Sequence, residues 1–178
     1  MGGKILVSAG HSTGEGGAPG ASSNGYTEAN ETLRVRDAVA AILKDKDLTV
    51  ITDGEEGVSE SLRSAIALAR EADVAVEFHF NSSSSNRATG IEVLARANNR
   101  TLPRNLAKAI EQATRLTLRG GDGGYKPDNS GQHASLGFCR AGGLVVEICF
   151  ISNPSDMSAY EANFSTLSTK LADVVAVA

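Results

Sequence analysis

Long hydrophobic runs are missing from this sequence. The longest, such as LTVIT and LVVEICF, fall far short of the roughly 20 apolar residues that a membrane helix needs. The start of the chain has one lysine before a brief apolar stretch, so neither a signal peptide nor a membrane anchor is expected, and synthesis in the cytoplasm is. Runs of like charge are also missing. Seventeen basic against 21 acidic side chains give a net charge of −4 with no basic patch, which excludes a nucleic-acid footprint. Cysteine is scarce. Cys139 and Cys149 lie outside any C-x-x-C spacing, so both are expected to be buried free thiols and not a metal or disulfide framework. No Gly-Lys-Ser/Thr follows the glycine-rich stretch after residue 9, which removes a phosphate-binding loop. No linker, repeat or low-complexity tract divides the 178 residues, so one domain spanning 1–178 is expected, large enough to bury a single core.

What is present is an alternation of short β-rich runs with helical periodicity. Residues 4–8, 48–52, 74–80, 91–94 and 144–149 read as strands, several apolar on both faces as internal parallel strands are. Between them Val35, Val39 and Ile42 mark one helical face. Leu62, Ala65, Ile66 and Ala69 mark a second, and Leu106, Ile110, Ala113 and Leu116 a third. From Met157 through Tyr160, Phe164, Leu167 and Leu171 to Val174 the same spacing predicts one long closing helix. The pattern predicts an α/β domain, a mostly parallel central sheet with helices on both faces. Residues 10–25 and 119–131, rich in glycine, read as two loops, the second of them mobile.

In such a sheet ligands bind beyond the carboxyl ends of the strands. His11 in ILVSAGHS, Glu28 in GYTEAN, His79 in VAVEFHFN and Glu147 in LVVEICF all fall at strand ends or on the loop between them. Two imidazoles and two carboxylates are the inventory of a catalytic zinc site, three ligands plus one acid for the proton. Taken alone, His79 on an apolar strand reads equally well as a hydrogen-bonded core residue, and Glu28 or Glu31 as an acid complementing a helix dipole.

The segments GHSTGEGGAPG, GYTEAN, LRSAIALAREADVAVEFHFN and GGLVVEICFISNPSD resemble, in order and spacing, the zinc-dependent N-acetylmuramoyl-L-alanine amidases, a family of cell-wall autolysins and phage endolysins. The resemblance spans residues 4–156. It implies that His11, Glu28 and His79 bind one Zn²⁺ and that Glu147 is the catalytic acid and base. It further implies that the substrate is peptidoglycan, cut between the lactyl group of N-acetylmuramic acid and the L-alanine of the stem peptide. Because no wall-binding domain or export signal is seen, the expected role is either a monomeric phage endolysin released through a holin or an autolysin domain of a longer protein, with the endolysin favoured. Two alternatives stand beside it: a non-catalytic wall-binding module of the same fold, and a serine hydrolase using Ser12.

Departures from the family pattern mark further residues. Ser8 and Ala9 replace the usual Asp-Pro before Gly10-His11, and Glu77 stands where serine is usual. Two residues apart on a strand share a face, so Glu77 lies on the side of His79, either to orient it or to pair with Arg63 or Arg70; pairing is the expectation. His133, in SGQHASLGF, reads as a surface loop residue or as part of the site, there as a candidate for substrate stabilisation or proton transfer ahead of a third metal ligand in place of Glu28. The serine alternative rests on Gly10-His11-Ser12-Thr13-Gly14 with Asp122 and His133 following in triad order, but an elbow needs a strand, a sharp turn and a helix at once.

Overall fold

A computed structural model describes residues 3–12, 17–129 and 135–178. The apolar runs form β1 (Ile5–Ala9), β4 (Val50–Thr52), β5 (Val74–Asn81), β6 (Glu92–Ala95) and β8 (Leu144–Phe150). A short hairpin, β2 (Ser22–Ser23) and β3 (Tyr26–Thr27), spans the end of the first glycine-rich stretch, and β7 (Tyr125–Pro127) lies inside the second. The six-stranded sheet runs β4-β1-β5-β8-β6-β7. Strands β4, β1, β5 and β8 are parallel, while β6 pairs antiparallel with β8 and carries β7 along with it.

Alternate residues of each strand feed two cores. Ile5, Val7, Val76, Phe78, Val146 and Ile148 face α1 (Glu28–Lys44), α3 (Thr101–Thr114), α5 (Pro154–Ala162) and α6 (Phe164–Ala176). Leu6, Ala75, Leu94 and Val145 face the smaller pair α2 (Leu62–Ala69) and α4 (Gly137–Arg140). The α/β architecture with helices on both faces is therefore as the sequence predicts, and both cysteines are buried free thiols.

Two expectations need correction. The closing helix is two helices, because Asn163 leaves helical backbone (φ −121°, ψ 14°) and its Nδ2 donates to the Ala159 carbonyl at 2.9 Å. Side-chain spacing alone continues through that break, since Tyr160 and Phe164 still meet edge to face at 5.6 Å. Second, the stretch 119–131 is not simply a mobile loop. Within it Tyr125–Pro127 pairs with β6 as the sheet's edge strand, the position where a proline is tolerated. Gly137–Arg140, for which no element was expected, folds as a short helix over the smaller core, laid down by Phe138 and Cys139.

Beneath the loop after β4 lies a buried ion pair. Arg36 on α1 bonds Asp53 (3.3 Å), Asp37 (2.6 Å) and the carbonyls of Glu55 and Val58 (2.8 Å each). Asp53 Oδ1 also accepts from Ala9 N–H at 3.0 Å, while its Oδ2 has no partner among the described residues. Burial raises the Asp53 carboxyl to about 6, against the lowering effect of the Ala9 bond and of Arg36. An acid whose pKa is higher folded than unfolded favours folding while protonated. The Asp53 contribution should therefore be largest near pH 4 and decline as pH rises to about 6. Denaturant titrations across that window should show a downward component that Asp53→Asn removes; an unchanged slope in the variant would assign it to other groups.

Candidate active site

The cluster lies on the α2/α4 face, at the carboxyl ends of β1, β5 and β8. His11 stands two residues past β1 in left-handed backbone (φ 67°). Its turn is tied down by Gly10 N–H donating to the Phe78 carbonyl (2.9 Å) and Thr32 Oγ1 donating to the Gly10 carbonyl (2.7 Å). Glu28 opens α1, where the helix dipole favours an acid. Its carboxylate accepts from the backbone N–H groups of Ala21 (3.0 Å) and Phe80 (3.1 Å). Phe80 lies beyond the last β5 residue that β1 pairs, so this carboxylate satisfies an N–H that the sheet leaves over. His79 and Glu147 face each other in the β5–β8 register, immediately before a shift in that pairing. Such irregularities re-aim side chains at a strand end.

Distances are short throughout. His11 Nε2 lies 3.2 Å from Glu28 Oε2, and His79 Nδ1 lies 3.1 Å from Glu28 Oε1. The other His79 nitrogen, Nε2, lies 3.0 Å from Glu77 Oε1, and Ser8 Oγ donates to Glu77 Oε2 at 3.3 Å. Donor atoms of His11, Glu28 and His79 all fall within 4.8 Å of one another. Two glycines make room for them. A Cβ on Gly10 would stand 2.3 Å from the His79 ring, and one on Gly20 (φ 71°) 2.6 Å from Glu28 Oε2 and 2.7 Å from His11 Cδ2.

Charge follows from this crowding. Burial alone would raise the Glu28 carboxyl, but hydrogen bonds from His11 and His79 hold it well below the usual carboxylate range. Burial would lower the His79 imidazole, yet Glu28 and Glu77 on its two nitrogens, with Glu147 nearby, hold it well above its ordinary value. Glu147 is the exception. Burial raises it to about 7, only partly offset by His79, and Glu28 and Glu92 push it further up. Its Oε2 has no hydrogen-bond partner among the described residues. Three buried carboxylates around two imidazoles call for a cation, and two histidines with one acid are donors of the kind zinc takes. The residues therefore fit a divalent metal. A cleft of about 360 Å³ opens over them, lined by Glu28, His79, Asn81 and Glu147 among others.

Comparison with known proteins bears on this geometry. Residues 5–176 match the family described as N-acetylmuramoyl-L-alanine amidase. The chain belongs to that family. A Neisseria meningitidis protein assigned as an N-acetylmuramoyl-L-alanine amidase is 40% identical, with a TM-score of 0.88 over 98% of this chain and 94% of that one. The catalytic domain of CwlV, an N-acetylmuramoyl-L-alanine amidase from Bacillus (Paenibacillus) polymyxa, shares the fold at 24% identity, with a TM-score of 0.79 over 98% and 96% of the chains. So does the catalytic domain of the CD27L endolysin targeting Clostridia difficile, at 18% identity, with a TM-score of 0.73 over 97% and 96%. No curated protein matches the chain. Membership in the amidase family makes it a hydrolase of the cell wall.

Of the candidates read from the sequence, His11, Glu28, His79 and Glu147 line one cleft. Glu31, the rival of Glu28, instead accepts from Tyr160 Oη (3.0 Å) and pairs with Arg34 (3.4 Å). His133 lies outside the described residues. The expected pairing of Glu77 with Arg63 or Arg70 is wrong: both arginines are exposed, and the buried Glu77 carboxylate is taken by His79 and Ser8. For the serine alternative, Ser12 Oγ donates to the Ser59 carbonyl (3.3 Å), while Asp122 is bound by Arg104 and Arg100 on and beside α3. The last motif's Ser152 and Asn153 prove structural. Ser152 Oγ accepts from Ser83 N–H at 3.1 Å, and Asn153 caps α5 through Ser155 and Asp156. Sequence reasoning missed Glu92, which faces Glu147 across the β6–β8 pair. A glutamate in an apolar run was the available signal, hidden because β6 was not known to adjoin β8.

Proposed function

We propose that this amidase is a zinc enzyme that holds one Zn²⁺ with His11, Glu28 and His79 and uses Glu147 as its general base and acid. The bond cleaved is the amide between the lactyl group of N-acetylmuramic acid and the L-alanine of the stem peptide. The observation that carries this reading is the buried Glu147 carboxyl, raised to about 7 and with Oε2 unpartnered among the described residues, in the same cleft as three metal-type donors. Such a carboxyl titrates where proton transfer at neutral pH is most efficient. The chemistry zinc supplies when bound is polarisation of the scissile carbonyl and acidification of a water. Glu147 takes the proton from the attacking water and returns it to the departing amine nitrogen, which leaves poorly without it. Glu77 accepts from His79 Nε2–H and so directs Nδ1 toward Glu28, fixing which nitrogen is free to ligate.

Metal binding tests the assignment apart from turnover. Competition with a chromophoric chelator should give one Zn²⁺ per chain, a stoichiometry lost in His79→Ala. Gly20→Ala forces Glu28 and His11 apart and should weaken binding about 10- to 100-fold. Full affinity in His79→Ala would remove the ligand set. The finer role of phage endolysin adds lysis of intact cells: the protein applied from outside should clear a suspension whose wall is accessible. Cleavage of purified wall without clearing would favour an autolysin, and tight wall binding without product a non-catalytic module.

A further inference from the structure

Beside Glu147 the sheet carries a second polar cluster that hydrolysis of the amide does not use. Glu92 is buried, and two cations converge on it: Arg119 Nε donates to its Oε1, and Lys126 Nζ lies 3.4 Å from its Oε2. Asn81 Nδ2 donates to the same Oε2 at 3.4 Å. Two cations on one carboxylate leave a positive charge over. Arg119 is fixed in place. Its Nη1 donates to the Thr89 carbonyl (3.0 Å), its guanidinium lies 4.7 Å from the centre of the Phe150 ring, and its backbone N–H donates to Ile91 (2.9 Å). Gly90, at φ 108°, leaves space for its stem, since a Cβ there would come within 2.9 Å of Arg119 Cγ. Lys126 is placed by the register of β7, opposite Leu94.

Both cations keep about a third of their side chains in solvent, 37% for Arg119 and 34% for Lys126. They line a cleft of about 330 Å³ together with Asn81, Ser82 and Phe150. Asn81 and Ser82 also line the cleft over the metal-type donors, so the two clefts share a wall. Glu92 and Glu147 sit on neighbouring strands, about 4.8 Å apart in the hydrogen-bonding direction, and an extended peptide advances about 3.3 Å per residue. A ligand whose amide sits at Glu147 and whose chain runs toward β6 would bring its next one or two residues within reach of Arg119 and Lys126.

We propose that this cleft binds a carboxylate of the stem peptide, borne by the residue after the L-alanine. The inference rests on the amide reading above and names what that site selects. The surplus is a single positive charge, and Glu92 and Glu147 stand beside it, which suits a singly charged carboxylate better than a phosphate. It also gives an acidic chain a local attraction for an anionic ligand, which its net charge of −4 does not provide.

The test uses two muramoyl-L-alanyl-D-glutamate ligands, one with a free α-carboxylate and one with the α-carboxamide. Each is titrated calorimetrically into zinc-loaded Glu147→Gln protein and offered as substrate to the native enzyme. The carboxylate form should bind roughly tenfold more tightly, with the difference appearing in KM more than in kcat. The preference should fall below about twofold in Arg119→Gln and in Lys126→Gln, and shrink as salt rises, because the contact is partly exposed. Lys126, on the edge strand, serves where loss of Arg119 unfolds the chain. Equal binding of the two ligands, binding of neither, or a preference that survives both substitutions would overturn the proposal. Preferred binding of the carboxylate with no cleavage by the native protein would keep the subsite and sink the amidase mechanism. Cleavage of both forms with equal KM would do the reverse.

Discussion

Glu147→Gln will lower kcat by about 10²–10⁴ while leaving zinc affinity within a factor of two. Glutamine fills the same space and keeps an acceptor, but it cannot carry the proton from water to amine. The native enzyme should also lose kcat/KM on the acid side, because the base acts only when ionised. Burial sets the Glu147 carboxyl at about 7 without a metal, and a cation in the cluster lowers it, so the acid limb falls below pH 7. Steady-state kinetics with parallel metal titrations checks this. A variant that retains native kcat would transfer the proton role to another group, and one that loses zinc would show Glu147 to be a ligand.

The second large effect is on stability. Arg36→Met should destabilise the fold by about 3–5 kcal/mol and lower Tm by about 10 °C, because it leaves the Asp53 carboxylate buried without its counterion. The carbonyls of Glu55 and Val58 lose their donor at the same time. The loss reaches the active site through the chain between Asp53 and Ser59, whose Oγ donates to the His11 carbonyl at 3.3 Å. Adding Asp53→Asn removes the stranded charge and keeps an acceptor for Ala9 N–H, so the double variant should recover most of the loss. Thermal and urea unfolding measure both. A loss under 1 kcal/mol in Arg36→Met would mean that Asp37 and water compensate the pair.

Much of this was legible in the sequence because burial leaves a strong pattern. Strands β1, β5 and β8 are apolar on both faces, and a polar residue in such a run, His79 or Glu147, stands out against its neighbours. The short elements left weaker traces. Tyr125–Pro127 is three residues between glycines and Asp-Asn, and it becomes a strand only because β6 lies beside it. Asn163 breaks the closing helix without disturbing its apolar spacing. Partnerships were the hardest to read. Glu77 was expected to pair with Arg63 or Arg70, yet the register Ser8↔Glu77 and the geometry of a strand gave its two oxygens to Ser8 and His79. Glu92 became visible only with the order of the sheet.

The most direct test of the central claim is mass spectrometry of peptides released from purified peptidoglycan by three samples: the native protein, a chelated sample restored with Zn²⁺, and Glu147→Gln. Stem peptides with a free L-alanine amine are expected from the native and restored samples, and almost none from the chelated or substituted ones. Release that persists after chelation, or cleavage at any other bond, would contradict it.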